Sequence, residues 1–258
     1  MFEKPVEAAR WLLDAHLQRR AFTSIPGRQA NDSLSQAYDI QDTFVDMLAS
    51  QNGQPVGYKI GLTTPRMQEM CGIDHPIAGV VLAKRVHHSP AEVDSAEFVR
   101  LGVECELAVR LSRPTANPGH ATLDEINDTI LDVAAAFELV EDRCADYRAL
   151  DVHSLVADNS WNGGIVLGKP ASLKDIGDLR GVLTINDTMA DQGSTRDVLG
   201  HPLKAVAWLA RHLAERGRAI KSGDWVMTGS VVPTKFANRG DRFVLSIDGL
   251  DPAILTVR

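Results

Sequence analysis

Glu104 and Glu106 stand one residue apart in the run Val103-Glu104-Cys105-Glu106-Leu107-Ala108-Val109. On a strand, side chains alternate between faces, so the two carboxylates share one face roughly 7 Å apart along the strand. Val103, Cys105, Leu107, Val109 and Leu111 then form an apolar face opposite them. Like charges at that spacing repel unless something positive lies between them. A hard divalent cation, Mg2+ or Mn2+, would serve, bound by carboxylate and water oxygens. The plainer reading is a solvated strand face, and spacing alone favours it. Glu138 shifts that balance, because Ala134-Ala135-Ala136-Phe137-Glu138-Leu139-Val140 is otherwise apolar on both faces. An ionised carboxylate there must be paired, hydrogen-bonded or metal-bound. It is either a buried ion pair, for instance with Arg143 or Lys59, or the third ligand of a three-carboxylate site.

Lys59 lies in Val56-Gly57-Tyr58-Lys59-Ile60-Gly61-Leu62-Thr63. On a strand it points away from Tyr58, Ile60 and Leu62, with Gly57 and Gly61 leaving space beside it for a ligand. There it could bind a carboxylate or stabilise an enolate oxygen; a surface lysine is the equal alternative. The glycines do not follow the phosphate-cradling order GxxxxGK[ST]. Thr228-Gly229-Ser230 follows an apolar run and would suit a substrate carboxylate, although such turns usually carry no function. Asp158 to Gly164 is polar and turn-prone, and reads equally as a loop entering a strand. His87, His88 and His201 lack metal-ligand spacing. His75, in the turn Gly72-Ile73-Asp74-His75-Pro76, is kept as a candidate.

These residues need a scaffold, and its elements are legible. Pro5 opens a helix whose apolar positions are Val6, Ala9, Leu13 and Leu17. Ser33 and Gln36 form a capping box for a second helix that Asn52-Gly53 ends. From Val56 the texture changes to short strands: Val99 to Leu111 alternates, Val182 to Ile185 precedes an Asn186-Asp187 turn, and Phe243 to Ile247 meets Ala253 to Val257 across Asp248-Gly249. Two helices are predicted among the strands, one capped by Thr122 and Glu125, the other from Pro202 to Arg216. Strands and helices do not alternate regularly, which disfavours a doubly wound parallel sheet and predicts an α+β fold on an antiparallel or mixed sheet.

The 258 residues carry 27 basic and 34 acidic side chains, a net charge of −7, so there is no electrostatic footprint for nucleic acid. Aromatic content of 5% offers few stacking platforms for single strands. No apolar run suits a membrane span, and Met1-Phe2-Glu3-Lys4-Pro5 is unlike a secretory signal. Cys71, Cys105 and Cys144 are scattered, without CxxC spacing, which predicts reduced thiols and a cytoplasmic protein.

Seven segments in this order resemble the hydratase and decarboxylase branch of the fumarylacetoacetate hydrolase superfamily. They are Gly57 to Thr63, Glu104-Cys105-Glu106, Glu138-Leu139-Val140, Ala157-Asp158-Asn159, Leu199 to Leu203, Ala207 to Ala210, and Gly223 to Gly229. The resemblance implies a mixed β-roll or barrel behind a helical N-terminal region: one domain over 1–258, helical over 1–54 and catalytic over 55–258. It implies a homo-oligomer, Mg2+ or Mn2+ held by Glu104, Glu106 and Glu138, catalytic Lys59, and substrate contacts from Asn159, Thr228, Gly229 and Ser230. The implied reaction is hydration of a 2-hydroxydienoate in aromatic-compound catabolism, with the 2-keto acid chelating the cation and Lys59 stabilising charge or moving a proton. Decarboxylation of a 4-oxalocrotonate-type acid, C–C hydrolysis of an acylpyruvate, and a non-catalytic binding homologue are the alternatives. The chain departs from its relatives twice. Pro76-Ile77-Ala78-Gly79 replaces the usual Pro-Asp-x-Gly, leaving Asp74, His75 or Glu69 as candidate proton carriers. Asn159-Ser160-Trp161-Asn162 replaces a small serine-bearing loop.

Overall fold

The capping box predicted at Ser33 forms: its side chain accepts from the Gln36 N–H, and the Gln36 side chain returns to the Ser33 N–H. It starts α2 (Leu34–Asn52), which follows α1 (Pro5–Leu17) in a computed structural model describing residues 4–28 and 32–258. Gly53, at φ 80°, ends α2 with its N–H on the Ala49 carbonyl. Ala9 and Leu12 of α1 and Phe44 and Val45 of α2 enter the main core.

The strands that follow are β1 (Pro55–Gly61), β2 (Ile77–Leu82), β3 (Val86–His88), β4 (Ala91–Val93), β5 (Leu101–Leu111) and β6 (Ile130–Glu141). After them come β7 (Asn162–Leu167), β8 (Arg180–Ile185), β9 (Thr188–Ser194), β10 (Trp225–Ser230), β11 (Lys235–Phe236), β12 (Arg242–Ile247) and β13 (Ala253–Val257). Interspersed are α3 (Pro65–Met70), α4 (Leu123–Asn127), α5 (Val152–Ala157) and α6 (Pro202–Glu215). Two of these helices, α4 and α6, match those predicted. The other two, α3 and α5, are six residues each, too short to show helical periodicity in sequence. Thr64 and Asp151 cap them.

The strands form two sheets. The larger runs β2-β1-β10-β5-β6-β7-β3 with β11 on β5; the smaller runs β4-β13-β12-β8-β9. The β1–β10, β3–β7 and β4–β13 ladders are parallel and the rest antiparallel, so the mixed α+β expectation holds. The β8–β9 hairpin turns at Asn186 and Asp187, at φ 51° and 63°, and β12 pairs with β13 as predicted.

The larger ladder rolls without closing into a barrel. Between β2 and β7 the backbone is left-handed at Asn159, Ser160 and Trp161 (φ 49°, 49° and 61°), which no strand adopts. Side chains bridge that gap instead. Asn159 Oδ1 accepts from the Val80 N–H at 2.7 Å and its Nδ2 donates to the Val80 carbonyl at 2.9 Å. Ser160 Oγ donates to the Ala78 carbonyl at 2.8 Å. The stretch read as an ordinary polar loop is therefore a buried part of the wall.

Candidate active site

β5 and β6 pair so that Glu104 lies opposite Glu138 and Glu106 opposite Ala136. One carboxylate oxygen from each of Glu104, Glu106 and Glu138 lies within 4.8 Å of the others. Glu106 and Glu138 are fully buried and Glu104 is half-buried, so this face is not the solvated one that spacing alone favoured. Farther along, the same face carries Ala108, Ala134, Ala136, Ile165, Leu167 and Met227, packed as a small dry core. The carboxylates sit at the end of that core.

Each carboxylate has one oxygen held by the protein. Thr234 Oγ1 donates to Glu104 Oε1 at 2.6 Å, and the Gly229 N–H donates to Glu106 Oε2 at 2.8 Å. Glu138 Oε1 accepts from Asn162 Nδ2 at 3.0 Å and lies 3.2 Å from Lys59 Nζ. Glu106 Oε1 and Glu138 Oε2 are buried without a hydrogen-bond partner among the described residues. Such orphaned acceptors are costly unless something positive meets them.

Burial and the neighbouring Glu138 and Glu104 carboxylates push the Glu106 carboxyl well above its usual range; the Gly229 N–H and Lys59 only partly oppose this. Burial likewise raises Glu138 to about 7, against the pull of Lys59. For Lys59, burial disfavours the charge, yet the three glutamates outweigh it and hold the ammonium above its ordinary value. Three carboxylates thus face one ammonium, and a dication would balance the remaining charge. All-oxygen donors, each with one oxygen tethered, fit a hard divalent cation with positions left for water or a chelating substrate.

Lys59 is buried, so the surface-lysine alternative falls. The two glycines beside it serve different ends. A Cβ at Gly57 would lie 2.2 Å from the Trp225 carbonyl, whereas one at Gly61 would lie 3.2 Å from Lys59 Nζ and 3.5 Å from Ile77 Cγ1. Ile77, at the position where the resemblance leads one to expect an acid, therefore stands close to the ammonium. Arg143, considered as a partner of Glu138, is turned instead to buried Asp158. Asp158 also meets His16 Nε2 of α1 at 2.6 Å.

The remaining candidates are placed less directly. Thr228 Oγ1 donates to the Leu107 carbonyl at 2.8 Å and Ser230 Oγ to the Val232 carbonyl at 2.6 Å. Those hydroxyls, like both polar atoms of the Asn159 side chain, are directed at backbone; Gly229 reaches the site through its N–H. The structure does not bring His75 into the carboxylate group: its ring stacks on Trp208 at 6.2 Å, and its Nδ1 lies 2.8 Å from the Pro76 carbonyl. Asp74 and Glu69 are exposed. Asn162 and Thr234, which hold two of the glutamates, were assigned no role from sequence. The unusual Asn159–Asn162 loop was the available signal for the first, and the second had none.

The chain belongs to the fumarylacetoacetate hydrolase family: residues 75–258 match its fumarylacetoacetate hydrolase C-terminal domain. Within it, this chain is 33% identical over 247 residues to 2-keto-4-pentenoate hydratase 1 of Dechloromonas aromatica (strain RCB), covering 94% of this chain and 93% of that one. It is 30% identical over 253 residues to 2-oxo-hept-4-ene-1,7-dioate hydratase of Escherichia coli, covering 94% of each. Its structure matches that of 4-oxalocrotonate decarboxylase from Pseudomonas putida G7, complexed with magnesium and adipate, with a TM-score of 0.91 at 27% identity, covering 99% of this chain and 98% of that one. Among the described residues no helix is long and apolar enough to cross a membrane.

Proposed function

We propose that this enzyme is a divalent-cation-dependent hydro-lyase that adds water to a short 2-hydroxydienoate, the enol of an unsaturated 2-keto acid, with Mg2+ or Mn2+ held by Glu104, Glu106 and Glu138. The observation that carries it is the trio of carboxylates, each tethered at one oxygen, beside a single buried ammonium. The names of its hydratase relatives support the substrate class. When bound, the cation supplies a Lewis acid for the C1 carboxylate and C2 oxygen of the substrate.

Lys59 does the rest of the electrostatic work. Its charge stabilises the negative charge left on the C2 oxygen when the enol proton is lost, until a proton added to C5 of the diene converts that oxygen to a ketone. Water then adds across C3=C4, its hydroxyl going to C4 while C3 takes a proton in exchange for the one water gives up to the site, and the product is a 4-hydroxy-2-keto acid. With Ile77 in place of an acid, proton transfer falls to Lys59 or to solvent. Asn159, Thr228, Gly229 and Ser230 shape the substrate cavity mainly by fixing backbone and the Glu106 carboxylate; His75 stays outside the carboxylate group. The dry core behind Glu106 and Glu138 keeps bulk water from that side.

Decarboxylation of a 4-oxalocrotonate-type 2-keto diacid is the second reading, favoured by the structural match to such an enzyme. Residues 1–258 are taken as one catalytic unit that assembles as a homo-oligomer in the cytoplasm. The deciding assay supplies 2-hydroxypenta-2,4-dienoate and 4-oxalocrotonate with Mn2+ and follows diene absorbance and CO2. Hydration without CO2 is expected. Stoichiometric CO2 would make the chain a decarboxylase, and turnover of neither would favour a non-catalytic binding homologue.

A further inference from the structure

Glu138 is the one ligand candidate whose tethered oxygen receives two side-chain donors, and the neutral one comes from a strained segment. Residues 159 to 161 are three successive left-handed residues, none of them glycine. Each is sterically disfavoured, and such strain persists only where the surroundings over-determine it. Here they do. Asn159 and Ser160 are pinned to the β2 backbone, and Trp161 packs edge-on against Phe22 at 4.9 Å and Tyr147 at 5.7 Å. The residue before the turn, Asp158, is buried and held by Arg143 and His16.

The turn changes where the next side chain points. β7 pairs regularly with β6 at Glu138–Ile165 and Leu139–Gly164, but Val140 then pairs with Asn162 rather than with Gly163. That bulge is a device for re-aiming a side chain. Asn162, one residue past the left-handed run, turns its amide onto Glu138 Oε1. With Lys59 on the same oxygen, Oε2 is left as the free, buried acceptor.

We propose that Asn162 is a positioning residue that fixes which oxygen of Glu138 faces the cation, and that the strained turn serves to deliver it. This rests on the metal reading above. Lys59 cannot substitute, because its ammonium is also drawn to Glu104 and Glu106. A neutral amide selects one oxygen without adding charge.

The test is Mn2+ titration calorimetry on the full chain as wild type, Asn162→Ala and Asn162→Leu, with circular dichroism and thermal unfolding of each metal-free protein. Asn162→Leu keeps the branched shape and removes the donor. Affinity is expected to fall about tenfold, as is usual on losing a partner that orients a ligand, with the metal-free melting temperature close to wild type. A variant that folds and binds Mn2+ within twofold of wild type overturns the proposal; should Asn162→Ala fail to fold, Asn162→Leu decides. A wild type that takes up no Mn2+ removes the metal reading itself, and this one with it.

Discussion

In the smaller sheet, Phe243, Leu245 and Ile247 of β12 turn inward while Arg242 and Ser246 meet water. In the larger sheet, β5 alternates just as regularly, yet the residues between its apolar ones are at least half-covered too, Glu106 completely. The first sheet uses alternation to separate oil from water. The second uses it to separate two buried faces, one wholly apolar and one carrying acid. Desolvating an ion costs several kcal/mol even after relaxation. The larger sheet therefore holds charge at the expense of its own stability, while the smaller one carries no such load.

The largest effect should come from Glu106→Gln. Mn2+ affinity is expected to drop by more than about 100-fold, beyond the usual loss for an outer-shell partner, while the metal-free protein melts higher because the unfolded chain no longer gains by ionising a carboxyl that the fold disfavours as an anion. Ser246→Ala, on the exposed face of β12, should move neither. Calorimetric titration and scanning calorimetry check both; equal Mn2+ binding by Glu106→Gln would erase the distinction between the sheets.

Next is Lys59→Met, which strands buried carboxylates and should cost about 3 kcal/mol at pH 8, read from urea unfolding. Glu138 sits at about 7 in the fold, above its unfolded value. A carboxyl raised in this way is neutral and harmless below the unfolded value and grows destabilising as pH rises to about 7. The variant's deficit should thus shrink at pH 5. By the same linkage Mn2+ uptake should weaken below pH 7 and release protons there, and a pH-independent deficit would contradict the assignment. The smallest effect belongs to Thr234→Val. Half-buried Glu104 can recruit water in place of the hydroxyl, so Mn2+ affinity should fall only about fivefold, near 1 kcal/mol.

What could be read in advance was local. Ser33 with Gln36, Thr122 with Glu125, and Asn186-Asp187 each encode their geometry within a few residues. The spacing of Glu104 and Glu106 fixed their common face, because the period of a strand is two. Whether that face met water depended on β6 and β10, contributed by distant parts of the chain. The left-handed run at 159–161 has no glycine to announce it, and Val80, Ala78, Phe22 and Tyr147, assembled in three dimensions, help to hold it. Thr234 finds Glu104 across a strand pairing of just two residues, with no pattern to mark it. The resemblance to relatives named the glutamates and the lysine; their donors had to be seen.

The contact between His16 and Asp158 bears on how such a protein can be taken apart. The match to the family's C-terminal domain begins at residue 75, and both His16 and Lys59 lie before it. One supplies charge among the glutamates and the other braces the wall from the first helix. Recombining that domain with a different leading segment would therefore discard working parts. The working unit is therefore larger than that C-terminal domain, in keeping with relatives that match along 94% of the chain.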